Sequence, residues 1–157
     1  MSQFLIAIST WLHAVATVVF IGHYLLLALI TMPALESAPQ EARGFIVSAI
    51  SRRSRTWLYA ALIVFALTGS HLTLVDPNYL GIGDFDNVWS VVMLVKHILI
   101  LGMIVLGAWF NGLMRVGPLA SSNTGGEAAI ARFRSHANIM AAAGVVVLLL
   151  TALSQLQ

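Results

Sequence analysis

Five histidines and one lysine lie in or at the ends of long apolar stretches of this sequence. An ionisable side chain at membrane depth is costly, so it usually faces the interior of a helix bundle and marks a functional site. Imidazoles that project from different helices at one depth are the axial ligands of b-type haem, and imidazole with thioether also suits copper. The candidate cofactor-binding residues are His13, His23, His71, Lys96, His97 and His136.

The composition explains why these residues must be considered in a membrane. The chain has 157 residues, of which 59% are hydrophobic and 9% are charged, whereas about a quarter of the residues in a soluble domain are charged. It contains no cysteine, which excludes disulfides, thiolate metal sites, iron–sulfur clusters and c-type haem attachment. A net charge of +2, carried by few and segregated residues, predicts no nucleic-acid partner. No catalytic triad, phosphate-binding glycine loop or paired carboxylate is visible, so we do not expect hydrolytic chemistry.

Four apolar runs set the predicted architecture, because each is about as long as the 20 or so residues that cross a hydrocarbon core. We predict an all-α, integral membrane four-helix bundle that forms a single transmembrane domain over residues 1–157. Its helices are expected at about 4–35, 55–76, 88–114 and 136–155.

The arginines predict the orientation of this bundle. All seven fall on the side reached after the first and third helices, while the loop between the second and third helices carries three aspartates. Since cytoplasmic loops are rich in Lys and Arg, the arginine side is expected to face the cytoplasm and both termini the periplasmic or outer side. The expected location is a bacterial inner membrane, with the lipid bilayer as a partner. The arginines are Arg43, Arg52, Arg53, Arg55, Arg115, Arg132 and Arg134, and the aspartates are Asp76, Asp84 and Asp86.

Counting along the helices divides the histidines into two groups. At 1.5 Å per residue, His71 lies about 8 Å from Asp76 and His97 about 12 Å from Trp89, both measured from the outer side. With His13 at comparable depth, these three form the candidate metal-binding group, and which two would coordinate a metal stays open. His23 and His136 form a second group towards the cytoplasm. Lys96 either snorkels to the surface, pairs with a haem propionate, acts as a ligand or holds an anion.

The glycines and methionines are compatible with both cofactor hypotheses, b-type haem and copper. Each helix carries a glycine where a flat macrocycle could approach the backbone, although such positions also permit close helix packing. The methionines within the helices are either copper ligands or adaptable core residues. The glycines are Gly22, Gly69, Gly102, Gly107 and Gly144, and the methionines are Met93, Met103 and Met140.

Short motifs around these residues resemble a known family. Trp11-Leu12-His13, followed by Phe20-Ile21-Gly22, looks like the opening helix of the copper-resistance D (CopD) family and, more distantly, of the HemJ family. The third helix resembles their lysine-containing helix, and the second and fourth fit weaker signatures. Those segments are Leu94-Val95-Lys96 with Asn111 and Arg115, Ala66-Leu67-Thr68-Gly69, and Leu150-Thr151-Ala152-Leu153.

The resemblance implies functional roles for His13 and Lys96. CopD-like proteins are associated with copper uptake or resistance, and HemJ-like proteins bind haem b and are associated with the oxidation of protoporphyrinogen IX. Ser135-His136-Ala137-Asn138 replaces the HemJ-like Asn-Glu-x-Pro motif, and Met32-Pro33-Ala34 lacks their Pro-Arg-Leu. These departures weigh against protoporphyrinogen oxidation.

The expected function is therefore that of a membrane-embedded redox-metal protein. It would bind b-type haem through intramembrane histidines and transfer electrons from a quinol or periplasmic donor, as an oxidoreductase component if it is an enzyme. Two alternatives remain: CopD-like copper transport across the inner membrane, and a non-catalytic accessory subunit of a larger membrane complex.

Overall fold

The computed structural model describes residues 3–81, 83–113 and 126–155, and for residues 110–113 it describes the backbone only. This part of the chain is all-α, as predicted, and contains no strand. The helices are α1 (Gln3–Leu26), a π-helical turn (Leu27–Thr31), α2 (Met32–Glu36), α3 (Gln40–Val75), α4 (Val88–Leu113) and α5 (Gly126–Ser154).

Four helical segments of the described chain are long and apolar enough to cross a membrane. The first is the continuous helix formed by α1, the π-helical turn and α2, and the others lie in α3, α4 and α5. Two of them begin earlier than expected, because α3 starts at Gln40 rather than 55 and α5 at Gly126 rather than 136. The apolar pattern marks only the hydrocarbon-spanning part of each helix, whereas polar turns continue the same helix beyond it.

The π-helical turn in the first helix ends two residues before a proline, Pro33. Pro33 has no amide hydrogen and its ring clashes with the carbonyl group four residues earlier, so regular α-helical bonding fails there. The helix widens over Leu27–Thr31 instead, and the Met32 N–H bonds to the Leu27 carbonyl oxygen. Met32 and Leu35 beyond the turn are 1% and 2% exposed, so the widened turn keeps them in the core.

Helix α1 is the centre of the bundle. It packs along α3 on one side and α5 on the other, while α4 packs chiefly on α5. Within the described ranges, α3 and α4 make few direct contacts, and a groove between them has α1 as its floor. At the contact of α1 with α5, a Cβ added to Gly144 would lie 2.7 Å from the Ile21 Cγ2 atom. Gly144 is therefore a position of close helix packing.

The buried methionines belong to this core. Met103 of α4 is 3% exposed and Met140 of α5 is 0% exposed, and both lie in the main hydrophobic cluster. Their surroundings support the interpretation of these two residues as core residues that fill space between helices.

Capping interactions fix the loop between α3 and α4. The Asn78 N–H donates to the Asp76 carboxylate at 2.9 Å, and Asn87 donates to the Asn78 carbonyl oxygen at 2.8 Å. The Asn87 side-chain oxygen also accepts from the Ser90 N–H at 2.7 Å, which caps the first turn of α4. We call this the acidic end of the bundle.

The opposite end, which we call the arginine end, carries six of the seven arginines on α3 and α5, while Arg115 lies outside the described residues. Arg134 of α5 forms an ion pair with Glu36 of α2. This pair ties the end of the first helix to the start of the last one.

Candidate functional site

His13 of α1 is held by a threonine of α3. Its Nδ1 atom lies 2.9 Å from the Thr68 hydroxyl, and that hydroxyl lies 2.6 Å from the Val64 carbonyl oxygen. A hydroxyl has one proton, and here it is directed to the carbonyl, so the oxygen accepts from His13. The Nδ1 atom therefore carries the ring proton, and the Nε2 atom carries a lone pair.

The imidazole of His13 is also fixed by packing. It stacks on Phe65 with ring centroids 4.2 Å apart and an interplanar angle of 30°. On the same helix, a Cβ added to Gly69 would lie 3.2 Å from the His13 Cε1 atom. Gly69 thus allows the α3 backbone to approach the ring. The space beside this glycine, where a macrocycle could approach the backbone, is occupied by the imidazole of His13.

His97 of α4 has the same protonation pattern. Its Nδ1 atom lies 2.7 Å from the Met93 carbonyl oxygen, one turn earlier in the helix. A carbonyl oxygen only accepts, so Nδ1 is the N–H donor and Nε2 again carries the lone pair. The side chain is exposed in the isolated chain, which leaves this group accessible to a ligand.

Lys96 links these two histidines to the acidic end. The charges of Lys96 and His97 disfavour a positive charge on His13, whereas the Asp76 carboxylate at the end of α3 attracts the Lys96 ammonium group. The Lys96 side chain is half-buried. Residues of α1, α3 and α4 therefore meet in one electrostatic neighbourhood, which we call the outer group.

His71 is the third residue of the predicted metal-binding group. It is half-buried on α3, about one helical turn beyond Thr68 towards the acidic end. Among the described residues, no three His, Asp or Glu side chains come together as a metal-binding group. A bis-histidine haem requires only two imidazoles.

The second predicted group lies near the arginine end. The Tyr24 ring contacts both histidines edge-on, with centroids 5.3 Å from His23 and 6.0 Å from His136. These three residues line one pocket together with Ser54 and Arg55. The structure therefore brings His23 and His136 to the same pocket from α1 and α5.

This pocket adjoins the apolar groove between α3 and α4. Tyr24, Arg55 and Leu58 line both spaces, and Phe20 and Met103 line the groove further into the bundle. We call the first space the polar pocket and the second the apolar groove.

The sequence did not single out Tyr24 as a residue of the polar pocket. Tyr24 is 4% exposed, and its hydroxyl oxygen lies 3.3 Å from the position of a Cβ added to Gly107. The available signal was its place in the core-facing series Phe20, Tyr24 and Leu27 of α1. Arg55 is predicted from the sequence as a determinant of membrane topology, and the structure adds that it lines both spaces.

The architecture defines a four-helix protein compatible with a membrane, with an outer group of imidazoles and a polar pocket at the opposite end. No protein-family model, curated protein or solved structure matches the chain. The similarity to CopD-like and HemJ-like chains stays a prediction based on the short motifs.

Proposed function

We propose that this protein is a membrane-embedded electron-transfer protein that would bind b-type haem in the outer group, held by the imidazoles of His13 and His97. The observation that carries the proposal is the shared protonation pattern of the two imidazoles. In each, Nδ1 donates to an oxygen atom, namely that of Thr68 or Met93. Metal-bound histidines commonly use the second nitrogen in this way, because the bond fixes the tautomer and the ring orientation.

The helix arrangement supports a ligand between these residues. His13 belongs to α1 and His97 to α4, and α4 has its main packing partner in α5 rather than in α1. A flat ligand inserted between α1 and α4 therefore displaces little helix packing. His13 supplies a rigid, stacked ring on one side, and His97 supplies an accessible ring on the other.

Lys96 carries the positive charge that the anionic propionate groups at the edge of a haem would require. Lys96 is half-buried and interacts electrostatically with His13, and its ammonium group would pair with a haem propionate through a charge-assisted hydrogen bond. Haem supplies one-electron exchange, and its axial ligands and burial set the potential. The partner would be a quinol or a periplasmic donor, and the membrane a bacterial inner membrane with the arginine end in the cytoplasm.

Visible spectroscopy of the detergent-purified chain tests this proposal. The protein, expressed with haem available, is expected to show a Soret band and sharpened α-bands after dithionite, with about one iron per chain. His13→Ala and His97→Ala are each expected to lose most of the Soret absorbance, since each removes one axial ligand. His71→Ala is the matched control and should retain it.

Elemental analysis and size-exclusion chromatography make the result decisive. A featureless spectrum without iron, from protein that elutes as a well-folded species, would overturn the haem proposal. Copper in that sample would favour CopD-like copper transport at the same nitrogens. Neither metal, together with larger co-purifying proteins, would favour the accessory-subunit alternative.

A further inference from the structure

The polar pocket is lined by hydrogen-bond donors and has no carboxylate in its wall. Arg55 offers the N–H groups of a guanidinium, and His23 and His136 line the same wall with their imidazole rings. The wall of the adjoining apolar groove contains no Asp or Glu either. A positive charge without an acidic neighbour in the wall suits an anionic ligand.

The depth of the pocket matches the headgroup level of a bilayer. Counting back along α3 from Asp76 at 1.5 Å per residue places Arg55 about 31 Å away, and the hydrocarbon core is about 30 Å thick. Trp57, two residues further along α3, is 66% exposed, as expected of an aromatic side chain at a membrane interface. Arg55 is therefore separated from Asp76 by about the thickness of the hydrocarbon core, which is the separation expected of a residue at the level of the lipid phosphates.

The apolar groove continues from this level towards the middle of the bundle. Its deeper wall is formed by Leu62 of α3 and by Met103 and Ile104 of α4. Since Tyr24 and Arg55 line both spaces, a polar group in the pocket and an apolar chain in the groove would belong to one continuous ligand.

We infer that the polar pocket and the apolar groove together bind one anionic phospholipid, with its phosphate at Arg55 and an acyl chain between α3 and α4. Basic pockets between membrane helices on the cytoplasmic side are sites for anionic lipid headgroups. The site is separate from His13 and His97 and does not depend on haem. It gives Arg55 a binding role in addition to its effect on orientation.

Native mass spectrometry of the full chain in detergent tests this inference. The protein is mixed with equal amounts of phosphatidylglycerol and phosphatidylcholine that have the same acyl chains. We expect one retained phosphatidylglycerol, and an affinity about tenfold lower in Arg55→Gln, because a charged hydrogen-bonding partner of the phosphate is lost. Arg53→Gln removes the same charge from an exposed position outside both spaces and is expected to keep the lipid.

Three results would overturn the inference. Equal retention of phosphatidylcholine would show that the headgroup charge is not recognised, and equal losses in the Arg53 and Arg55 variants would show only general electrostatic attraction. Displacement of the lipid by an equal concentration of inorganic phosphate would identify a site for a free anion without an acyl chain. Arg55 is exposed, so both variants are expected to elute and unfold like the unmodified chain.

Discussion

At the scale of single residues, Thr68 determines what His13 can do. Its hydroxyl gives its proton to the helix backbone and uses its oxygen to accept from the imidazole. It is one of the few buried polar side chains among the described residues. A threonine at this position therefore both tolerates burial and holds the histidine in the tautomer that presents Nε2.

Replacing this hydroxyl tests the arrangement. Thr68→Val keeps the shape of the side chain but removes the acceptor for His13 Nδ1, so we expect haem affinity to fall about 10- to 100-fold. The measurement is a haem titration followed at the Soret band. Thr151→Val is the matched control, because Thr151 makes the same bond to the carbonyl four residues earlier, at 2.9 Å, on another helix. An equal loss of affinity in both variants would contradict the role given to Thr68.

At the scale of helices, the apolar pattern predicted that the chain is helical and that four helices are long enough to cross a membrane. It did not predict that α3 begins at Gln40 and α5 at Gly126, because a helix does not need apolar residues once it leaves the hydrocarbon core. Counting residues also placed His23 and His136 at one depth, and they meet at one pocket. It could not select Tyr24, because the direction a side chain faces depends on which helices pack against it.

The contact between α1 and α5 gives a prediction at this scale. Gly144→Ala would place a methyl group 2.7 Å from the Ile21 Cγ2 atom, and a β-branched side chain in a packed core cannot easily move aside. We expect a loss of stability of about 1–3 kcal/mol, measured by thermal or denaturant unfolding in detergent.

Two further variants identify the cause of that loss. Gly102→Ala, at a position where an added Cβ meets nothing within 4 Å, is expected to leave stability nearly unchanged. In the double variant Ile21→Ala with Gly144→Ala, the two effects should be clearly non-additive, since the first removes the group with which the second collides. Additive losses of stability would show that the added methyl group and Ile21 do not collide.

At the scale of the whole molecule, charge is distributed unevenly between the two ends. The described arginines lie at one end, and Asp76, Asp84 and Asp86 lie at the other. This asymmetry is the basis of the prediction that the arginine end faces the cytoplasm, and that orientation would put the outer group near the opposite membrane surface. A haem in that group would exchange electrons most readily with a partner outside the cytoplasm.

The absence of cysteine from the sequence makes this orientation directly measurable. A single cysteine introduced as Asp86→Cys, in the loop of the acidic end, should react with a membrane-impermeant maleimide in intact cells. One introduced as Gln40→Cys, at the start of α3, should react only after the cells are permeabilised. The reverse pattern would invert the topology and place the proposed haem near the cytoplasm.

The π-helical turn at Leu27–Thr31 makes the first helix sensitive to the insertion or deletion of a single residue at that place. A regular α-helix turns by about 100° for each residue, so one residue gained or lost within the turn re-aims everything beyond it by that angle. Met32 and Leu35 would then leave the core, whereas His13 and His23, which precede the turn, would keep their directions. The direction in which the side chains of α2 face is thus set separately from that of His13 and His23.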